Sequence, residues 1–207
     1  MKISPSLLHL YAVTDRQWLH GRTLESQVRE VLEGGATILQ LREKRLSDED
    51  FLAEARAIQK TCQEFRVPLI INDNLAVAKA IGAGLHVGQS DAACRTAREA
   101  LGPDAIIGVS CTNVEQAIQA QKDGADYLGV GAVFPTSTKH DADYVSDTEL
   151  RAIGNAVDIP LVAIGGITLK NATRLAGTGI AGVAVVSALF AADSPRDAAQ
   201  KFAQLKY

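Results

Sequence analysis

Cysteine is scarce: Cys62, Cys94 and Cys111 are the only three in 207 residues, and no two stand at the CxxC spacing of a metal knuckle or redox motif. An odd, scattered set cannot close a disulfide framework, so reduced thiols in a cytoplasmic protein are expected. Excess charge is also missing. Lys and Arg number 21 against 24 Asp and Glu, a net charge of -3, which gives no electrostatic basis for binding nucleic acid or an anionic membrane surface. The short apolar run that ends at Asp15 is too brief to span a bilayer and lacks a signal-peptide cleavage pattern, so neither export nor membrane insertion is expected. No Pro/Gly/Ser-rich stretch divides the chain. With 47% hydrophobic and 22% charged residues, residues 1–207 are expected to form one domain around one core.

What is present is alternation. Short apolar runs at Leu8–Val13, Ile38–Leu41, Leu69–Ile71, Leu85–Val87, Ile106–Val109, Tyr127–Val130, Leu161–Ile164 and Val183–Val186 are separated by longer amphipathic stretches. This is the pattern of parallel strands with helical crossovers. Leu24, Val28, Val31 and Leu32 fall on one helical face, as do Phe51, Ala55, Ile58 and Cys62. Gly34-Gly35, Gly124 and Gly179 follow such stretches, where a left-handed helix end costs glycine little. Eight β/α units suit either a closed barrel or an open sheet. Polar residues decide between them: Thr14-Asp15, Arg42 to Lys44, Asn72-Asp73, Gln89, Ser110, Thr136 to Lys139, Gly165-Gly166 and Ser187 all come just after strands. Only a (β/α)8 barrel gathers all eight strand ends on one face.

Four segments carry chemistry. In QLREK an extended backbone puts Gln40, Arg42 and Lys44 on one side, an anion site or else a solvated charged loop. Asn72-Asp73 and Asp91 follow adjacent strands, where the carboxylates suit magnesium or else cap the helices that follow. His86, flanked by apolar residues, reads as a hydrogen-bonded core histidine. The long loop within residues 124–145 offers Thr136, Ser137, Thr138 and Lys139 to phosphate oxygens. Gly165-Gly166 after strand seven and Ser187 after strand eight suit a backbone phosphate site, and a Val at position 166 is expected to block it without upsetting the fold. No Ser/His/Asp triad stands out.

The segments LYAVTDR, QLREK, IIND, HVGQSD, IIGVS, GADYLGVGAVFPTSTK, VAIGGI and AGVAVVSAL occur in one order over nearly the whole chain, and together they resemble the thiamine-phosphate synthases. That resemblance implies a (β/α)8 barrel and a transferase that condenses an aminopyrimidine methyl diphosphate with a thiazole phosphate, or its carboxylated form, releasing pyrophosphate. It implies two phosphorylated small-molecule substrates, magnesium as cofactor, and no protein nucleophile, and leaves open whether the chain forms a homo-oligomer. By the same resemblance, Arg42, Lys44, Asn72, Ser110 and Lys139 would contact the pyrophosphate, with Arg42, Lys44, Ser110 and Lys139 catalytic. Asp73 and Asp91 would hold magnesium, and Gln40 would orient the pyrimidine. Thr136 and Thr138 would line the thiazole phosphate end, and the backbone at Gly166, Val186 and Ser187 would bind that phosphate. The chain departs from the family pattern at Asn74, where many members have arginine, at Ala132, often proline, and in a stretch before Gln89 one residue short. Two other readings are a thiazole tautomerase-like barrel, which by resemblance has a histidine where this chain has Ala132, and a non-catalytic barrel that binds a phosphorylated metabolite.

Overall fold

The computed structural model describes residues 3–19, 21–89, 93–136 and 144–207. Eight parallel strands close into a barrel in sequence order, β1 (Leu10–Val13), β2 (Ile38–Leu41), β3 (Leu69–Asn72), β4 (Gly84–Val87), β5 (Ile107–Cys111), β6 (Tyr127–Val130), β7 (Leu161–Ile164) and β8 (Gly182–Val185). Closure is the pairing of β1 with β8, with Leu10 opposite Val183 and Ala12 opposite Val185. The barrel reading of the strand ends is therefore correct. The first strand begins two residues later than the apolar run suggests, because Leu8 completes a 3-10 turn over Pro5–Leu8. The others shift by no more than two residues at either end.

Helices α1 (Leu24–Glu33), α2 (Asp48–Phe65), α3 (Leu75–Ile81), α4 (Ala93–Leu101), α5 (Val114–Lys122), α6 (Asp147–Ala156), α7 (Ser187–Phe190) and α8 (Pro195–Ala203) are set between and after the strands. The two helical faces expected from spacing are both buried, Leu24, Val28, Val31 and Leu32 on α1 and Phe51, Ala55, Ile58 and Cys62 on α2. Each such aliphatic side chain contributes roughly 1.5–3 kcal/mol relative to exposure. Ser47 caps α2 by accepting from the Asp50 amide, and Asp48, Glu49 and Asp50 place negative charge on the positive end of the helix dipole. Gly35 and Gly124 take the left-handed backbone, with φ of 101° and 94°, whereas Gly34 does not. The crossover from β7 to β8 is not an α-helix but a 3-10 turn at Ala172–Leu175. Gly179, at φ 89°, follows that turn.

The period of two in each strand creates two cores. Leu10, Ala12, Leu39, Leu41, Ile71, Leu85 and Val109 face outward into the layer of helices. Tyr11, Val13, Ile38, Ile70, Tyr127, Val162 and Ala184 face inward and fill the barrel. Among the described residues no helix is long and apolar enough to cross a membrane.

Candidate active site

The inward register delivers polar side chains at the C-terminal ends of the strands. Gln40, Asn72, His86 and Ser110 continue the inward rows of β2, β3, β4 and β5, and Tyr11 lies one step deeper on β1. Above this layer is a cavity of about 460 Å³, a size suited to a small-molecule ligand.

Alternation persists past the end of β2. Gln40, Arg42 and Lys44 all line the cavity, while Glu43 turns the other way to pair with Arg16, its side chain 3% exposed. Arg42 is steadied from the turn after β1, where the Thr14 hydroxyl accepts its backbone N–H at 3.0 Å and the Asp15 carboxylate lies 3.8 Å from its guanidinium. Arg16 also pairs with Glu54. Burial is the main reason the Glu43 carboxyl rises from 4.5 to about 7, against the opposing pull of Arg16.

At the end of β3 the sequence Asn72-Asp73-Asn74 divides three tasks. Asn74, not Asp73, caps α3: its side-chain oxygen accepts from the Val77 amide at 2.9 Å, and its amide donates to Asp48 at 2.8 Å. The departure at Asn74 thus has a structural job of its own. Asp73 sits at φ 61°, donates its backbone N–H to the His86 carbonyl, and accepts from the Asn72 amide at 2.7 Å. Its carboxylate is exposed at the cavity wall. The alternative that Asp73 is only a helix cap is therefore excluded. Among the described residues no group of three or more His, Cys, Asp and Glu could hold a metal. Magnesium does not require one, since it takes one or two carboxylates and fills the rest with water and phosphate oxygens. Asp73, a hard oxygen donor free of capping duty and facing a cavity that also carries Arg42 and Lys44, fits that ion.

His86 is a core histidine, as its apolar flanks suggest. Its Nδ1 lies 3.0 Å from the Tyr127 hydroxyl and its Nε2 2.9 Å from Ser110 Oγ, and burial holds its pKa down to about 4. Ser110 and His86 together look like part of a nucleophile pair. Two features argue otherwise: the partner on Nδ1 is a phenol rather than a carboxylate, and a base with a pKa near 4 is poorly matched to removing a serine proton at neutral pH.

Thr136, Gly166, Val186 and Ser187 also line the cavity, with Ser187 the first residue of α7. Gly166 has φ 63°, and a Cβ there would lie 2.2 Å from the Pro135 carbonyl oxygen and 2.8 Å from that of Phe134. The expectation that a Val at 166 leaves the fold intact is thus overturned, because glycine is needed for two loops to touch. Asp91, Thr138 and Lys139 lie outside the described residues. Sequence reading missed the buried Tyr11 and Tyr127 hydroxyls, 2.7 Å apart at the floor of the cavity, which Tyr11 lines. The available signal was their inward strand register.

A family model described as thiamine monophosphate synthase matches residues 10–189. A thiamine-phosphate synthase of Ruminiclostridium cellulolyticum is 48% identical over 197 residues, 95% of this chain and 94% of that one. One of Methanobrevibacter smithii is 47% identical over 194 residues, 93% and 92% of the two chains. The solved thiamine phosphate pyrophosphorylase of Pyrococcus furiosus superposes with a TM-score of 0.88 at 38% identity, covering 96% of this chain and 95% of that one. With the barrel, the cavity and these matches together, the chain belongs to the thiamine monophosphate synthase family.

Proposed function

We propose that the protein is a magnesium-dependent, cytoplasmic thiamine-phosphate synthase that transfers an aminopyrimidine methyl group from pyrophosphate to the ring nitrogen of a thiazole phosphate. The observation that carries this reading is the convergence of Gln40, Arg42, Lys44, Asn72, Asp73 and Ser110 on one cavity, in a chain 48% identical to a thiamine-phosphate synthase. In the reaction the methylene carbon–oxygen bond breaks, pyrophosphate leaves with the electron pair, the electron-rich aminopyrimidine bears the positive charge, and the thiazole nitrogen closes the new carbon–nitrogen bond. No protein nucleophile or base is consumed, in keeping with the poor basicity of His86.

The chain's task is charge stabilisation and alignment. Arg42, held by Thr14 and Asp15 just after β1, presents a planar fork to phosphate oxygens, while Lys44 and Lys139 act as point charges. Asn72 and Ser110 contact the same group, Gln40 orients the pyrimidine, Thr136 and Thr138 face the thiazole phosphate, and the backbone at Gly166, Val186 and Ser187 cradles it. Asp73 and Asp91 would hold magnesium, whose contribution when bound is to neutralise charge on the pyrophosphate. The deciding assay is pyrophosphate release. Release that requires both substrates and magnesium is expected; isomerisation of a thiazole carboxylate phosphate, or binding without turnover, would overturn the reading.

A further inference from the structure

Along the floor of the cavity runs a continuous line of polar groups whose three middle members, Tyr11, Tyr127 and His86, have no part in the reaction above. The Gln40 amide donates to the Tyr11 hydroxyl at 2.9 Å, and the Tyr11 and Tyr127 hydroxyls are 2.7 Å apart. Tyr127 is 3.0 Å from His86 Nδ1, and His86 Nε2 is 2.9 Å from Ser110 Oγ. Tyr11 is 1% and Tyr127 0% exposed, so their hydroxyls cannot trade partners with bulk water. Two strands give up side chains to let the line pass. A Cβ on Gly108 would lie 2.0 Å from Tyr127 Cζ, and one on Gly129 would lie 3.1 Å from His86 Cε1, which is the close approach that glycine inside a strand marks. Tyr11, Gln40, His86 and Ser110 all border the cavity, Tyr127 does not, and the line's two ends are Gln40 and Ser110.

Each hydroxyl has one proton, and a neutral imidazole has one N–H and one acceptor nitrogen. The directions of the links are therefore tied together. When the Gln40 amide donates, Tyr11 passes its proton to Tyr127, Tyr127 passes its own to Nδ1, and Nε2–H faces Ser110 Oγ. Ser110 is then left with its proton for the ligand, and Gln40 with its carbonyl oxygen. Turning the Gln40 amide over reverses every link. Ser110 then spends its proton on Nε2 and meets the ligand only as an acceptor, while Gln40 offers N–H. Any mixed arrangement leaves a buried proton or lone pair facing its like, at about 1–3 kcal/mol for each fault.

We propose that Gln40, Tyr11, Tyr127, His86 and Ser110 form a single reversible hydrogen-bond chain that couples recognition at the two ends of the cavity. An anion on Ser110 and a hydrogen-bond donor on Gln40 select the same direction. A diphosphate at one end and an amino-bearing ring at the other are thereby recognised as one molecule, with Tyr11, Tyr127 and His86 as positioning residues. This deepens the functional reading above and rests on its assignment of Gln40 and Ser110.

The test reads the His86 tautomer by nitrogen-15 NMR of the histidine-labelled full chain with magnesium pyrophosphate as the probe. The wild type is expected to hold the Nε2–H tautomer. In Gln40→Glu at pH 8.5 the carboxylate can only accept, so His86 should switch to Nδ1–H and pyrophosphate should bind about tenfold more weakly. Adding Tyr127→Phe cuts the line, after which the tautomer should no longer depend on whether Gln or Glu stands at position 40. Tyr11→Phe cuts it one link earlier and replaces Tyr127→Phe if that protein does not fold. A tautomer indifferent to Gln40→Glu in the intact chain, or still responsive once the line is cut, overturns the proposal. Should Gln40→Glu not fold, the wild type answers alone, since an Nδ1–H tautomer in its pyrophosphate complex is incompatible with the chain. Failure to release pyrophosphate from the two substrates would refute the proposed activity, yet leave this tautomer response to be judged separately.

Discussion

The turn after β3 allows a metal role and a capping role to be separated by two substitutions at adjacent positions. Asn74 accepts from the Val77 amide and donates to Asp48, so Asn74→Ala removes the cap of α3 and should cost about 1 kcal/mol. For a domain of this size that corresponds to a fall of roughly 2–4 °C in Tm. Asp73 takes no part in the cap, and its φ of 61° is a conformation that asparagine adopts as readily as aspartate. Asp73→Asn should therefore alter stability by no more than about 0.5 kcal/mol. It does remove the only charge that Asp73 could offer a cation. Losing one charge-assisted contact of about 1.5–3 kcal/mol corresponds to a fall of roughly 10- to 150-fold in turnover at limiting magnesium. Thermal unfolding and pyrophosphate release across a magnesium titration measure the two effects. The expected outcome is a double dissociation, in which Asn74→Ala melts earlier with its magnesium dependence unchanged and Asp73→Asn melts normally but needs more magnesium. If Asp73→Asn works at wild-type rates with unaltered magnesium dependence, the metal assignment is wrong.

Lys139→Ala should lower the turnover number far more than it raises KM for the thiazole phosphate, since the charge it meets develops as pyrophosphate departs; a raised KM with unchanged kcat would remove Lys139 from the leaving-group role. Gly108→Ala puts a methyl group 2.0 Å from Tyr127 Cζ and should destabilise by about 1–3 kcal/mol or more, with wild-type thermal stability as the refuting result. The Glu43 carboxyl, raised from 4.5 to about 7 chiefly by burial, gives the reverse of the usual acidic-residue linkage. The unfolded chain releases this proton from about pH 4.5 upward and the folded protein only near 7, so stability is lost as pH rises across that window. Wild type should lose ground to Glu43→Gln between pH 4.5 and 7 in chemical denaturation, and parallel stability profiles would contradict the buried, protonated carboxyl.

The parts of this molecule that were legible in its sequence are those set by local periodicity. Period two in the strands fixed which of Leu39, Gln40 and Leu41 face the helices and which the lumen, and it carried Gln40, Arg42 and Lys44 to one side even beyond the end of β2. Spacing of three and four placed Leu24 and Val28 on the buried face of α1. Local pattern fails where several residues in a row could do the same work. Asn72, Asp73 and Asn74 are all competent caps, and only the path of the turn gives that job to Asn74 and leaves Asp73 at the cavity. It fails again where a contact exists only once the barrel has closed. Tyr11 and Tyr127 are 116 positions apart, and nothing near either one shows that their hydroxyls will meet. Glycine is the residue most easily misjudged in this way. Gly166 looks like a gap left for a phosphate, yet the atom that occupies the space of its missing side chain is the Pro135 carbonyl oxygen. Gly108 and Gly129 look like weak points in strands, yet their missing side chains make room for the rings of Tyr127 and His86. An inward-facing glycine in a closed barrel is therefore best read together with the large inward residues one or two strands away, because the lumen is filled across strands rather than along any one of them.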